Sequence, residues 1–296
     1  MYRPLYLVDA SVYIFRAWFA VPEAVRDERG ACANAVYGFG AFLCDLIEYE
    51  GASHVVCGFD ESLTTSFRHG LYPAYKANRP PPPPDLERQF AVCRALAEAL
   101  GIVTLASPAY EADDLIGSAA RHWRAAGHHM VYVTADKDYA QLLEAGDWWW
   151  DAARDRWLDP AGATEMLGVA PAQVADLLAL AGDSVDNIPG VPGIGRKTAA
   201  ALLAAFGSLD ALYEDTAAVT ASGIRGARRI RGLLESHREQ AFLSRELSLI
   251  RTDVRIDHDH AAAGWRGTDP AALERLALPG QLRNRARRLT CEGATQ

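Results

Sequence analysis

Nine carboxylates in this 296-residue chain have the types and spacing to do chemistry. They are Asp9 and Asp60, each closing a short apolar run; Glu111, Asp113 and Asp114 in YEADDLIG; Asp136 and Asp138 in VTADKD; and Asp183 and Asp186 in GDSVDN. Carboxylates packed together repel, so they either take up protons or recruit cations. An all-oxygen ligand set selects hard cations such as Mg²⁺ or Mn²⁺ rather than zinc. Nine acids exceed what one octahedral magnesium needs and suit two or more ions. A pair of ions about 4 Å apart stabilises both the attacking and the leaving oxygen of an in-line phosphoryl displacement. The residues therefore point to phosphodiester chemistry. No GxxxxGK[ST] loop is present, which argues against an NTPase. No Ser-His-Asp or Cys-His arrangement stands out, and most of the eight histidines lie outside these segments.

Such acids need a frame. Leu5–Val8, His54–Phe59 and Met130–Thr134 are short apolar runs rich in valine and tyrosine, the pattern of fully buried strands. Helical stretches separate them at Ala33–Tyr49, Leu86–Leu100 and Ala112–Ala125. Alternating strands and helices imply an α/β fold with a mainly parallel central sheet flanked by helices. In such sheets ligands bind beyond the carboxyl ends of the strands. Asp9, Asp60 and Asp136 sit at or just past those ends. Glu111, Asp113 and Asp114 open a helix, where the dipole favours acids. That accounts for one acid at a time, not for nine at one sheet edge.

Between the second strand and the next helix runs SLTTSFRHGLYPAYKANRPPPPPDLE. Five consecutive prolines, Pro80–Pro84, exclude a continuing helix or central strand. Basic and aromatic residues interleave here (Arg68, His69, Tyr72, Tyr75, Lys76, Arg79), and a long insertion at the active edge of a sheet is a functional candidate. Trp148–Trp150 and Trp157 flank DAARDR as a hairpin whose aromatics are expected to pack on the core rather than stack on bases. From about residue 165 the chain reads as a helical, Ala/Leu-rich lobe, with one short strand candidate at Val254–Ile256. Within it, NIPGVPGIGRKTAAALL places a glycine-rich turn before a helix. Close backbone approach and free amides at the helix start make a phosphate grip, with Arg196 and Lys197 adding charge. Such a grip holds duplex backbone without reading sequence.

The formal net charge is −8. Setting aside the nine clustered acids leaves 29 acids against 30 bases, so the rest of the surface is about neutral. Only three lysines occur, Lys76, Lys137 and Lys197, and each lies inside a motif. Five scattered cysteines without a CxxC pair argue against a disulfide framework and suit a reducing cytoplasm. No stretch is long and apolar enough for a membrane helix, and the start lacks the features of a signal peptide.

The segments LVDASVYIFRAWFA, FRHGLYPAYKANRPP, YEADDLIG, VTADKDYAQLL and GDSVDNIPGVPGIGRKTAA, in this order, resemble the 5′-nuclease family. This is the 5′–3′ exonuclease/flap endonuclease domain found at the N-terminus of bacterial DNA polymerase I and as stand-alone proteins. The likeness runs from residue 5 to about 205. It implies a PIN-like nuclease domain over residues 1–164 with a helical arch at about 62–110, and a helical lobe over 165–296 with a helix–three-turn–helix element. Asp9, Asp60, Glu111, Asp113 and Asp114 would hold one metal region; Asp114, Asp136, Asp138, Asp183 and Asp186 the second. Tyr75, Lys76 and Arg79 match arch residues that engage the scissile phosphate, and Arg16 matches a basic residue near the active site. Arg68, Gly190, Val191, Gly193, Ile194, Gly195, Arg196, Lys197 and Thr198 would face DNA. The carbonyls of Val191 and Ile194 match a site for a monovalent cation, typically K⁺. The implied activity is two-metal, Mg²⁺- or Mn²⁺-dependent hydrolysis of DNA with a 5′ flap or free 5′ end, RNA-primed substrates included, by a cytoplasmic monomer. A non-catalytic flap- or duplex-binding protein and an RNase of related fold are the competing readings. Two residues depart from the pattern: Ala135 stands where the family commonly has glycine, and Arg196 replaces a frequent proline. Ending at 296, the chain has no room for polymerase or proofreading domains, and a stand-alone nuclease is expected.

Overall fold

The first apolar run extends to Asp9 as strand β1 (Pro4–Asp9), whose residues alternate between two packed faces. Leu5 and Leu7 enter one core with Ile116, Trp123 and Tyr132; Tyr6 and Val8 enter another with Ile14, Phe39 and Cys57. Burial on both faces is why the strand reads as a continuous apolar run instead of an alternating one. The computed structural model describes residues 4–61 and 65–289. Cys291 and the first residues of the expected arch, 62–64, lie outside them.

After β1 come α1 (Ala10–Ala20), α2 (Asn34–Glu48), β2 (Val55–Asp60), α3 (Phe67–Leu71), α4 (Pro84–Ala99), β3 (Val103–Ser107), α5 (Ala112–Arg124) and β4 (His129–Val133). A 3₁₀ turn (Lys137–Leu142) leads to the hairpin β5 (Trp148–Asp151) and β6 (Arg156–Leu158). The sheet order is β3-β2-β1-β4-β5-β6, parallel throughout except for β5 with β6. The chain leaves β1 toward β2 and β3, then returns to its other side with β4. The crevice between β1 and β4 is therefore the topological switch point, where a ligand site is expected in such a sheet.

The helical remainder comprises α6 (Pro160–Leu167), α7 (Val174–Ala181), α8 (Arg196–Phe206), α9 (Leu209–Glu214), α10 (Ala227–Ser236), α11 (Arg238–Ser248), α12 (Pro270–Arg275) and α13 (Gly280–Ala286). Val254–Ile256 belongs to no strand. The span 62–110 contains all of α4 and β3, which are parts of the sheet domain, so only the stretch up to Pro83 stands apart from it. Helices α12 and α13 also return to the first domain. Leu273, Leu278 and Leu282 pack in the same core as α2 and α4. Arg283 and Arg285 bond Glu28, Asp45 and Glu48, which makes this arginine-rich end a structural clamp. Trp149 and Trp150 are buried as expected, and Trp150 stacks on Trp157 at 4.5 Å, but Trp148 and Trp157 themselves stay exposed at the hairpin surface.

The turn between α7 and α8 is held by two glycines at close quarters. Gly190 lies at φ +60°, and a Cβ there would stand 2.2 Å from the Gly182 nitrogen. Gly190 also donates its amide to Ser244 of α11. Replacing Gly190 with Ala should lower stability by about 1–3 kcal/mol through overpacking and strain. Urea unfolding checks this; an unchanged midpoint would mean that the turn relaxes freely.

Candidate active site

The acids reach the switch point from several elements, and short polar contacts fix each one. Asp9 closes β1 and caps α1, accepting the Val12 amide at 3.3 Å. Thr134, fully buried past β4, donates its hydroxyl to Asp9 at 3.1 Å and accepts the Asp136 amide at 3.0 Å. Trp149 donates its indole N–H to the Thr134 carbonyl at 2.8 Å, so the hairpin holds the loop that carries Asp136. Asp136 caps the 3₁₀ turn by accepting the Asp138 amide. Asp60 accepts the Ala112 amide at 2.8 Å, joining the end of β2 to the start of α5.

Arg68 holds the α5 acids. The sequence suggests a DNA contact here, but the side chain is only 1% exposed. Its guanidinium donates to both oxygens of Asp114, at 2.7 and 2.8 Å, and to Glu111 at 3.1 Å. Its remaining donors meet the carbonyls of Leu247 and Leu249. The fork geometry of arginine suits this task and a lysine could not perform it. Asp114, itself fully buried, also accepts the amides of Glu111 and Arg251. Both of its oxygens are thus engaged by the protein. Asp113 stays partly open to solvent.

The arch residues lie over the other side of Glu111. Tyr75 is buried and donates its hydroxyl to Glu111 at 2.9 Å; Lys76 reaches the second Glu111 oxygen at 2.9 Å and stands 3.9 Å from Asp186. Arg79 bonds Asp186. Three further bonds join this segment to the 183–188 loop: Lys76 N–H to the Asp186 carbonyl, Asn78 to the Ser184 carbonyl, and Asn187 to the Ala74 carbonyl. Lys76 sits at φ +53°, a left-handed conformation that these bonds maintain. Lys137 donates to Asp183 at 2.9 Å and lies 3.6 Å from Asp138. Arg16 is exposed and faces the hairpin, near the Ala153 carbonyl.

Charge explains what this cluster lacks. Burial, then the charges of Asp60 and Asp136, push Asp9 up to about 7. Burial and the charge of Asp136 likewise push Asp138 up to about 7. Glu111 behaves oppositely: despite its burial, Lys76 and Arg68 hold it below the usual carboxylate range. Hydrogen bonding by Lys137 does the same for Asp183. With all nine acids ionised, the four cations Arg68, Lys76, Arg79 and Lys137 leave five negative charges uncompensated. Among the described residues no three acids close around one point as a ready-made coordination set. Several are drawn onto the basic side chains instead. The donor chemistry still fits a hard divalent ion: every group is a carboxylate oxygen, and Asp138 Oδ1 is buried without a hydrogen-bond partner.

About ten residues past Asp186 lie the residues expected to face DNA. Gly195 caps α8 without a side-chain bond, and Gly195, Arg196 and Lys197 are exposed beside Gly193. Thr198 is half-buried. Val191 and Ile194 turn their side chains into the core, and the Val191 carbonyl accepts the Ile194 amide.

Comparison with known proteins identifies the family. The model of the 5′-3′ exonuclease N-terminal resolvase-like domain matches residues 4–168, and that of the 5′-3′ exonuclease C-terminal SAM fold matches 169–271. The chain belongs to the 5′-3′ exonuclease family. It is a nuclease by that membership. It is 43% identical to DNA polymerase I of Pseudomonas aeruginosa over 255 residues, covering 86% of this chain and 28% of that protein. Against DNA polymerase I of Bacillus subtilis the identity is 36% over 271 residues, 90% of this chain and 30% of the relative. The chain thus spans under a third of the length of these relatives. In fold it is similar to T5 5′-exonuclease with bound zinc (TM-score 0.66, 21% identity, 96% of this chain and 97% of that one). It is also similar to the catalytic core of Rad2 with DNA substrate (TM-score 0.59, 16% identity, 96% and 91%).

Thr134, Asn78 and Asn187 were not singled out from the sequence; their proximity to VTADKD, the arch and GDSVDN was the only available signal. Arg68→Met should cost roughly 3–5 kcal/mol, because it leaves Asp114 charged, buried and unpaired. Urea unfolding with a loss below 1 kcal/mol would show that Asp114 is satisfied without Arg68.

Proposed function

We propose that the chain is a divalent-metal-dependent 5′–3′ exonuclease and flap endonuclease that hydrolyses DNA phosphodiester bonds. The observation that supports this reading is the bonding of Lys76 to Glu111 and of Arg79 to Asp186, which sets two arch cations against the acids. Asp9, Asp60, Glu111 and Asp113 would hold one ion region, and Asp136, Asp138, Asp183 and Asp186 the other. The chemistry that a pair of ions supplies there is activation of water and stabilisation of the leaving 3′ oxygen. Zinc is the ion named for the T5 protein; the all-carboxylate set here favours the harder Mg²⁺ or Mn²⁺.

The residues of the chain divide the remaining work. Lys76 and Arg79 stand where a scissile phosphate would compete with Glu111 and Asp186 for their charge. A cleft of about 770 Å³ opens beside them, lined by Ser11, Phe15, Asp60, Lys76, Arg79, Pro80–Pro82 and Phe90 among others. Lys76 and Arg79 on one wall and Phe15, Tyr75 and Phe90 around it suit an unpaired 5′ strand, while Asp60, Glu61 and Glu87 add acids to the same cleft. Gly193, Gly195, Arg196, Lys197 and Thr198 would grip duplex phosphate at the start of α8, with K⁺ on the Val191 and Ile194 carbonyls. The setting is a monomer in the bacterial cytoplasm, working at the nucleoid on DNA flaps, RNA-primed ends included.

A 5′-flap duplex labelled at both ends, incubated with Mg²⁺, Mn²⁺ or EDTA, tests the reading directly. Metal-dependent cuts near the junction are expected; intact flap binding with no cuts in either metal would favour a binding protein. Asp136→Asn combined with Asp183→Asn should abolish cleavage and leave duplex binding in a gel-shift assay. Wild-type rates in that double variant would remove the metal assignment. Lys76→Ala should slow single-turnover cleavage by about 10²-fold, the scale of losing one electrostatic stabiliser; an unchanged rate would remove Lys76 from the chemistry.

A further inference from the structure

Arg68 and His69 are neighbours on the short helix α3, yet they serve different surroundings. Arg68 is sealed beneath the acids, whereas His69 is half-buried and lines the cleft together with Lys76 and Arg79. The helix is pinned from both sides. Phe67 donates its amide to the Ala109 carbonyl at 2.9 Å, and Arg68 donates to the Leu247 carbonyl at 2.8 Å. The His69 ring is fixed as well. Its Nδ1 lies 3.0 Å from the hydroxyl of Ser66, itself a buried residue. The ring also meets Tyr75 edge to face, the centroids 5.5 Å apart, and Tyr75 in turn donates to Glu111. The other ring nitrogen, Nε2, makes no hydrogen bond among the described residues and, unlike Nε2 of His122, is not shut away from solvent. It is therefore the polar atom that a rigidly held ring offers to the cleft.

We propose that His69 holds a phosphate of the unpaired 5′ strand through Nε2–H, a phosphate other than the one that Lys76 and Arg79 receive. The inference deepens the nuclease reading above and rests on it. When Ser66 donates to Nδ1, the neutral ring carries its proton on Nε2; when the ring is charged, both nitrogens carry one. Nε2 is a donor in both states, and a phosphate, which offers only acceptors, selects them over the remaining tautomer. A histidine gains its charge between about pH 8 and pH 5, so the contact strengthens on acidification. The other charged groups on the cleft are Asp60 and Glu61 at the end of β2, Lys76 and Arg79 of the arch, and Glu87 of α4. Their acids favour a charged ring and their bases oppose it. Sequence gave no reason to separate His69 from its basic neighbours; the Ser66 bond and the single open nitrogen do.

Fluorescence anisotropy in EDTA, where no cleavage is expected, compares wild type, His69→Gln and His69→Leu. The probes are a 5′-flap duplex and the same duplex without its flap, each at about pH 6 and about pH 8. His69→Leu should bind the flapped duplex on the order of tenfold more weakly at the lower pH, the worth of one hydrogen bond to a charged group. Its binding of the unflapped duplex should match wild type. His69→Gln keeps a donor without the charge; it should fall between the two and lose the flap affinity that wild type gains on acidification. Asp9 and Asp138 are themselves pushed up to about 7, so the difference between wild type and variant isolates His69 from their response. Flap affinity in His69→Leu indistinguishable from wild type at both pH values overturns the proposal. An equal loss on flapped and unflapped duplex also overturns it, because the ring would then act only by supporting the fold through Ser66 and Tyr75. Wild type that binds both probes equally overturns instead the flap reading on which the proposal rests.

Discussion

A buried ion pair organises this molecule. Arg68 sits almost without solvent, with both oxygens of a fully buried Asp114 on its fork and Glu111 alongside. Neither charge is tolerable alone at that depth, so the pair must form or the region must stay open. Everything nearby is arranged around this condition. The carbonyls of Leu247 and Leu249 take up the last guanidinium donors, which pins the end of α11 to the start of α5. Glu111, held from below by Arg68, presents its outer edge to Tyr75 and Lys76. The acidic cluster can therefore exist in a folded protein because one cation is sealed beneath it.

The second organising feature is the seam between the arch and the 183–188 loop. Lys76, Asn78 and Asn187 exchange hydrogen bonds across it, and Arg79 closes it onto Asp186. The same loop leads through Ile188 and Gly190 into the turn before α8. The segment that would receive a single strand and the turn that would grip duplex phosphate thus share one short stretch of backbone. Movement at either end has to pass through Asp186 and Asn187. Asn187 also occupies a left-handed conformation, at φ +57°.

Much of the frame was legible from sequence because each central strand is a short Val- and Tyr-rich run ending near an acid. The runs at Leu5, His54 and Met130 became β1, β2 and β4, with helices between them close to the expected bounds. Strand β3 escaped notice because VTLAS mixes polar with apolar residues at the sheet edge. Arg68 was misread for a different reason. Basic residues among tyrosines look like a nucleic-acid contact, while the partners that bury it lie 43–46 and 179–181 residues away. Pairwise spacing in one sequence carries no trace of such distances. For the same reason the return of α12 and α13 to the first domain was invisible, as was the absence of free oxygens on Asp114. The acids themselves were legible; the cations that divide them were not.

The wiring of Arg68 has a consequence for synthesis on the ribosome. Glu111 and Asp114 are paired with a cation whose own donors are completed only at Leu247 and Leu249. Translation proceeds from the N-terminus, and domains fold as their residues emerge. A nascent chain lacking the end of α11 has the strands and the carboxylates but leaves its central guanidinium incompletely bonded. The pairing beneath the acidic centre is therefore completed only once Leu249 has been made. For a nuclease, competence is thereby delayed until the end of α11 has been made.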